Sequence, residues 1–380
     1  MKKHLEVNGE IVRKAREKRA WTQEELSERT RLGIRTVRRL EAGRGSWESI
    51  RRVAEELELK PEATLPQPNR EREQRDWLQL DLLKIELSTS LLGQVPKPFL
   101  DPLLDKLSGL RKYIAQEYGW IMPGVRLCDH LSVPDGAYRI FVRELKVAEG
   151  RLEPDKLLAV ARSQGELGKL SGQDLLDPCW QRPARWIQAE EAERARESGC
   201  AVFTAAALLT QHLRLQVELQ AHRLLGLDDV ARRLEKFEHR RLLEEVVPQK
   251  VDLITLRWVL RELLKELVPI RDLAAILESL ADHAPSDRET LLRNLRADLA
   301  PLLSHLNAAG KTITAIGVEA LPSQESLEKA GLDQESPLFL TSPELRRPVR
   351  QLLRQHPRWP VLSREEIAPG FSVIFSGSVV

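Results

Sequence analysis

Cysteine, methionine and aromatic residues are all scarce in this chain of 380 residues, which has three Cys, two Met and only 5% Phe, Trp and Tyr. Cys128, Cys179 and Cys200 lie far apart with no CxxC spacing, which excludes a disulfide framework and a cysteine-rich zinc site and leaves reduced packing thiols as the expectation. Few aromatics argue against a base-stacking RNA platform. Long hydrophobic runs are also missing. The most apolar stretch, Ala201 to Leu209, is far short of the roughly 20 residues a membrane helix needs, and Met1-Lys2-Lys3 is not followed by an apolar signal segment. A cytoplasmic protein without membrane insertion is therefore expected. The eight histidines form no HxxxH or HExxH set. Gly310-Lys311-Thr312 lacks the earlier glycine of a phosphate-binding loop, because His305 stands there, and Ser342 and Ser363 lack a glycine elbow. No metal, no cofactor and no enzymatic activity are expected.

Charge and length are abundant. Charged residues make up 31% of the chain, and the small net charge of +2 hides an asymmetry: residues 1–60 hold 16 Lys/Arg against 11 Asp/Glu, so the remainder is acidic. Any contact with a polyanion is expected at the N-terminus. The length implies several modules, and the fold class expected is a multi-domain α+β assembly: an all-α domain followed by a mixed α/β and helical module of several subdomains.

In residues 1–60, Val12, Ala15, Leu26, Leu32, Val37, Leu40, Ile50, Val53, Ala54 and Leu57 recur at helical spacing, enough for four short packed helices. Thr22 with Glu25 has the spacing of a capping box. The stretch from Ile11 to Gly43 resembles the Cro/repressor helix-turn-helix family without a gap. The resemblance implies a first motif helix from Thr22, a turn at Thr30 to Leu32, Gly33 capping a recognition helix from Ile34 to Glu41, and an Arg16–Glu41 ion pair. It implies double-stranded DNA as partner, with Ile34, Arg35 and Arg39 entering the major groove and Arg38 and Gln23 nearer the phosphates. Arginine can bond a guanine edge through two parallel hydrogen bonds. One module covers only about 600 to 1,000 Å² of DNA, so a dimer with recognition helices about 34 Å apart is the favoured homo-oligomer. Arg31 occupies a position where the family usually has glycine, and a left-handed arginine there would cost roughly 1 to 2 kcal/mol. The other reading of the same residues is a helix-turn-helix that binds protein, or a solvated basic face.

Residues 61–75 mix spaced prolines with dense charge and read as an exposed linker. From residue 76 the pattern mixes strands and helices: a strand on alternating Leu78, Leu80 and Leu82, a helix from Phe99 to Tyr118, a strand pair at Tyr138 to Val142 and Leu145 to Val147, and helices from Ala205 and from Asp252, the latter broken at Pro269. Ser286 to Glu289 has capping-box spacing. A strand at Leu338 to Leu340, a helix from Pro343, a strand at Trp359 to Leu362 and a strand near Phe371 to Phe375 follow.

The segments Val125 to Val160, Asp177 to Ile187, Val247 to Pro285 and Ser342 to Gly370, together with Ile85 to Val95, resemble the cytoplasmic domain of the FHIPEP family, the export gates of flagellar and virulence type III secretion. The likeness runs through most of residues 76–380 in the family's order. It implies four subdomains, approximately 76–150 with 205–225, an inserted partner-binding piece at 151–204, a helical part at 226–300 and a C-terminal α/β part at 301–380. It also implies a shallow dimple for export chaperones with their cargo, formed by Asp177, Trp180 and Gln211. Gln211, Gln181-Arg182 and Ser88-Thr89-Ser90 depart from the family's usual residues. The family's membrane half has no counterpart in the sequence, so a transmembrane gate is not expected.

Two functions follow as expectations. The first is a sequence-specific DNA-binding transcriptional regulator whose export-gate-like domain binds a protein partner or oligomerises. The alternative is a secretion-related docking or scaffold protein whose helix-turn-helix binds protein rather than DNA.

Overall fold

The computed structural model describes residues 5–59, 80–93, 97–168, 170–332 and 337–379, divided into two units, Met1–Leu80 and Asp81–Val380. The proposed linker, residues 61–75, and Leu78 lie outside the described residues.

In the first unit, β1 (Leu5–Glu6) precedes α1 (Gly9–Lys18), α2 (Gln23–Thr30), α3 (Ile34–Glu41), β2 (Arg44–Gly45) and α4 (Trp47–Glu56). The helices enclose Val12, Leu26, Val37, Leu40, Ile50, Val53 and Leu57. The antiparallel β1–β2 pair corrects the all-α expectation: left-handed Gly43 (φ +92°) turns the chain back after α3, which lets Gly45 pair with Leu5. At the start of α2, Thr22 Oγ1 accepts from the Glu25 amide at 3.1 Å while the Glu25 carboxylate accepts from the Thr22 amide at 2.6 Å. Both orphan amides are thereby satisfied. Helix α1 starts hard against the end of α3, where a Cβ on Gly9 would stand 2.2 Å from the Glu41 carbonyl oxygen. Arg31 caps α2 in the left-handed region at φ 52°, ψ 36°. Arg31→Gly is therefore expected to stabilise this unit by about 0.5 to 1 kcal/mol, the relieved strain less glycine's larger unfolded entropy. A urea titration would show this as a higher midpoint at unchanged slope; an unchanged or lower midpoint would refute it.

The second unit begins with β3 (Leu83–Leu87), which pairs in parallel with β4 (Val125–Asp129) and antiparallel with β5 (Ala137–Val142), the latter turning into β6 (Leu145–Arg151). The parallel pair requires a crossover. Helices α5 (Thr89–Gly93) and α6 (Lys97–Glu117) supply it. The strand expected on Leu78, Leu80 and Leu82 thus starts later and in the opposite phase. Leu83, Ile85 and Leu87 are the buried set, while Lys84 pairs with Glu144 at 2.8 Å on the other face.

A second sheet follows, made of β7 (Leu157–Val160), β8 (Asp174–Leu176), β9 (Pro183–Ile187) and, after α7 (Ala192–Glu197), β10 (Ala201–Thr204). Its order is β10-β7-β9-β8, antiparallel throughout, over a small core of Ala159, Ala161, Leu167, Ile187 and Ala195. Strand β10 runs directly into α8 (Ala205–Leu224), whose Thr204 cap accepts the Ala207 amide at 3.2 Å.

A helical stretch comes next: α9 (Leu227–Glu235), α10 (Arg240–Val246), α11 (Leu253–Lys265), α12 (Leu273–His283), α13 (Arg288–Asp298) and α14 (Ala300–Asn307). The break expected at Pro269 is the loop between α11 and α12. The cap of α13 is Asp287 rather than Ser286, since Asp287 Oδ1 accepts from the Glu289 and Thr290 amides while the Ser286 hydroxyl donates to the His283 carbonyl.

The last sheet is wholly parallel. Its strands β11 (Thr312–Val318), β12 (Phe339–Thr341), β13 (Val361–Ser363) and β14 (Ser372–Val379), with α15 (Gln324–Leu332) and α16 (Pro343–Leu352) as crossovers, lie in the order β13-β12-β11-β14. One face, with Ile316, Val318, Phe339 and Val361, packs with Leu327 and Val349 of the two helices; the other, with Ile313, Ala315, Leu340 and Leu362, joins the main core. Strands β12 and β13 are buried throughout and show no alternation, whereas β14 at the edge is largely exposed.

A buried ion cluster ties the helical stretch to this sheet. Arg296 of α13 donates to both oxygens of Glu366 at 2.7 and 2.9 Å, and both residues are 2% exposed. Glu366 lies just beyond β13, and Arg346 of α16 stands with Nε 2.9 Å from its Oε1. Arg346 also bonds Glu266, the residue that ends α11, and Arg296 lies 3.6 Å from the same carboxylate. Burial by itself would raise the Glu266 pKa, but Arg346 and Arg296 outweigh it and hold the group down at about 2.

Candidate functional site

The loop joining β8 to β9 is held by one buried carboxylate. Asp177 is fully inaccessible, with Oδ1 accepting from the amides of Cys179 and Trp180 and Oδ2 from that of Arg182, all at 2.8 Å. The Asp177 amide donates to the Arg182 carbonyl at 2.9 Å, so the two residues extend the Leu176–Pro183 pairing by one step. Pro178 fits the start of a turn, having no amide to satisfy, and Gln181 takes a left-handed conformation at φ 56°. Asp177 therefore acts through the backbone, and what the loop presents is Trp180. Its half-buried ring lies 6.0 Å, centroid to centroid, from Phe203 of β10.

Helix α8 brings the third residue. Gln211 is half-buried, and no hydrogen bond joins it to Asp177 or Trp180 among the described residues. Its neighbour His212 points inward, where Nδ1 lies 2.7 Å from the Tyr138 hydroxyl of β5. Burial pushes the His212 pKa down to about 4 although the Asp177 charge works in the other direction, so the ring is neutral at neutral pH. Burial and then Asp177 push the Cys179 thiol up to about 12. Neither group is suited to proton transfer or nucleophilic attack near pH 7. Sequence reasoning missed Phe203 and the Tyr138–His212 pair, although an aromatic in β10 directly before α8 was a usable signal.

A larger concavity, about 850 Å³, opens between the loop after α6 and the start of the helical stretch, with Trp120, Ile121, Phe237, Arg232, Arg233 and Arg271 among its lining residues. The run Trp120-Ile121-Met122 after left-handed Gly119 was its sequence signal.

The six residues expected at a DNA groove all lie on α3 or beside it. Gly33 is the N-cap of α3, Ile34 is half-buried in its first turn, and Arg35, Arg38 and Arg39 are exposed. Carboxylates engage part of this set. Gln23 donates to Glu41 at 2.6 Å, Arg38 donates to Gln23 at 3.2 Å and pairs with Glu24 at 3.6 Å, and Glu41 also takes Arg16 at 2.7 Å.

No group of three or more His, Cys, Asp and Glu that could hold a metal converges among the described residues. No helix among them is long and apolar enough to cross a membrane.

Comparison with known proteins gives a consistent answer. The model of the FHIPEP family matches residues 33–325. The flagellar biosynthesis protein FlhA of Caulobacter vibrioides is 29% identical over 369 residues, covering 87% of this chain and 53% of that protein. The chain spans about half the length, or less, of the curated relatives it matches. Among solved structures, Chlamydia pneumoniae CdsV superposes with a TM-score of 0.67 at 21% identity over 80% of this chain and 98% of that one; it is also known in complex with CdsO. The nonameric EscV cytosolic domain from the type III secretion system superposes with a TM-score of 0.60 at 17% identity, over 79% of this chain and 97% of that one.

These findings overturn the expectation of a DNA-binding transcriptional regulator. The relatives are flagellar biosynthesis proteins, and the family match begins at Gly33, inside the segment assigned to DNA recognition. Glu24 gives a physical reason for the weakness of that expectation: it places negative charge beside Arg38, a side chain that would have to meet phosphate.

Proposed function

Because this chain belongs to the FHIPEP family, we propose that it is a non-catalytic, cytoplasmic docking module of a type III secretion-related apparatus. The Asp177-clamped loop, which sets Trp180 against Phe203, carries this reading. A tryptophan fixed on a rigid turn is a favourable interface anchor, since little conformational entropy is lost on binding. The partner is an export chaperone with its cargo, and the module works in an assembly like the nonameric one of its structural relatives, in place of a dimer. The N-terminal unit is a helix-turn-helix of the protein-contacting kind, with the linker at residues 61–75 between it and the docking module. The four-subdomain division, with 151–204 as the partner-binding insert, belongs to the same reading.

Trp180→Ala is expected to weaken binding of a purified export chaperone–cargo complex by at least about tenfold in calorimetry, with little change in melting temperature because the ring is only half-buried. Binding equal to that of the unsubstituted chain would remove Trp180 from the interface.

A further inference from the structure

One face of α11 carries an excess of positive charge: among the described residues Glu262 is the one carboxylate that lines it, and it pairs with Lys265. Ile254, Trp258, Arg261 and Lys265 follow one another at the spacing of a single helical stripe, with Arg257 beside them, and they line a depression of about 220 Å³ together with Glu262 and Arg288. Ile254 is 53% exposed and Trp258 half-buried, so the stripe is apolar at its start and cationic beyond.

The charges around it have accountable positions. Arg288 donates to the Thr255 hydroxyl at 3.2 Å and stands 6.0 Å from the Trp258 ring centroid; Lys265 pairs with Glu262, the single carboxylate of the lining. Arg143, from the β5–β6 turn, donates to the Arg223 carbonyl at 3.2 Å and acts as a like charge on Arg261. Among the described residues, no hydrogen bond or ion pair reaches the guanidinium of Arg257 or of Arg261, and Arg257 Nε is shut off from solvent without an acceptor. Burial first, then Arg257 and Arg143, lower the Arg261 pKa, and His222 is held down at about 4 by burial and then by Lys265, Arg261 and Arg223. Two arginines so placed are costly to the fold, because each repels the other and one leaves a buried donor unsatisfied.

We propose that this stripe of α11 is a docking site for an acidic segment of a partner protein, whose carboxylates pair with Arg257 and Arg261 and whose adjoining apolar side chain rests on Ile254 and Trp258. From Ile254 to Lys265 the helix rises about 16 Å, the length of roughly five extended residues. The excess of positive over negative charge in the lining fits carboxylates, and the apolar start fits a protein side chain better than a phosphate polymer. The site is separate from the Trp180 surface and does not depend on the chaperone-docking reading.

The test uses the full chain and a fluorescein-labelled peptide of repeating Glu-Glu-Leu, followed by anisotropy at about 50 and 200 mM salt. Binding is expected to weaken with salt, to fall at least about tenfold in Arg257→Gln/Arg261→Gln, and to persist in Trp180→Ala and Arg35→Ala/Arg39→Ala. The double Gln variant should melt at the original temperature or above it, since a repulsion has been removed. The proposal is overturned if the peptide fails to bind or binds that variant equally well. It is overturned too if the variant melts several degrees lower, which would make the arginines structural. Loss of binding in Arg35→Ala/Arg39→Ala would place the peptide on α3, and full displacement by millimolar inorganic phosphate or by duplex DNA would identify a phosphate site instead.

Discussion

Arg296→Met is expected to lower the stability of the second unit by about 3 to 5 kcal/mol, the largest single effect anticipated here. The side chain removed is 2% exposed and satisfies both oxygens of Glu366. Its loss leaves the buried Glu366 carboxylate with Arg346 and the Ser363 amide, which donates at 3.3 Å, in place of a two-pronged guanidinium contact. A melting temperature lower by roughly 10 °C should accompany it, and a change under about 1 kcal/mol would show that the cluster adds little beyond its own desolvation cost. Acid should probe the same cluster without mutation. The folded chain keeps Glu266 deprotonated down to about 2, whereas the ordinary glutamate value is 4.5. Its stabilisation, on the order of 3 kcal/mol, is complete above the unfolded value and drains away as the pH falls from there toward 2. Glu266→Gln should flatten that part of a stability-against-pH curve.

The second large effect concerns Asp177→Ala, expected to cost about 3 kcal/mol or more, because the amides of Cys179, Trp180 and Arg182 would lose their acceptor inside the protein. Asp177→Asn keeps one carbonyl oxygen and should cost about half as much. Hydrogen exchange at residues 179–182 should quicken in the alanine variant before the rest of the β7–β10 sheet responds. Partner binding should fall with it even though Asp177 has no exposed surface, since the clamp sets where Trp180 stands. An alanine variant within about 0.5 kcal/mol of the parent would show that the loop holds its shape by other means.

Local signals were the legible part of this chain. The Thr22–Glu25 capping box and the helices around it were readable because their chemistry lies within four residues. The Arg16–Glu41 pair was readable only through a family likeness. Strand phase was lost where neighbouring leucines offered two alternations, and the burial of Leu83, Ile85 and Leu87 decided between them. The run Thr312 to Val318 was passed over because only its first half alternates: from Ala315 onward every residue is buried, which leaves too short a period-two signal. The site shows the same division: Asp177 and Trp180 are close in sequence and could be named, whereas Phe203, His212 and Tyr138 reach that region from three other elements. Arg296 and Glu366, seventy residues apart, give no local sign of each other. Reading the arginines of α3 as groove contacts failed for a related reason, because it took no account of Glu24, which the fold brings beside Arg38 from another helix.

The order of strands in the last sheet also bears on how the chain is made. Strand β11 is central, yet its neighbour on one side, β14, is translated after every other strand. On the ribosome, Thr312 to Val318 can already be fastened to β12, itself paired with β13, while its other edge stays bare until residues 372–379 emerge. An open apolar edge is a template for pairing with other chains. A nascent chain that stalls before Ser372 would therefore be the species most in need of a chaperone.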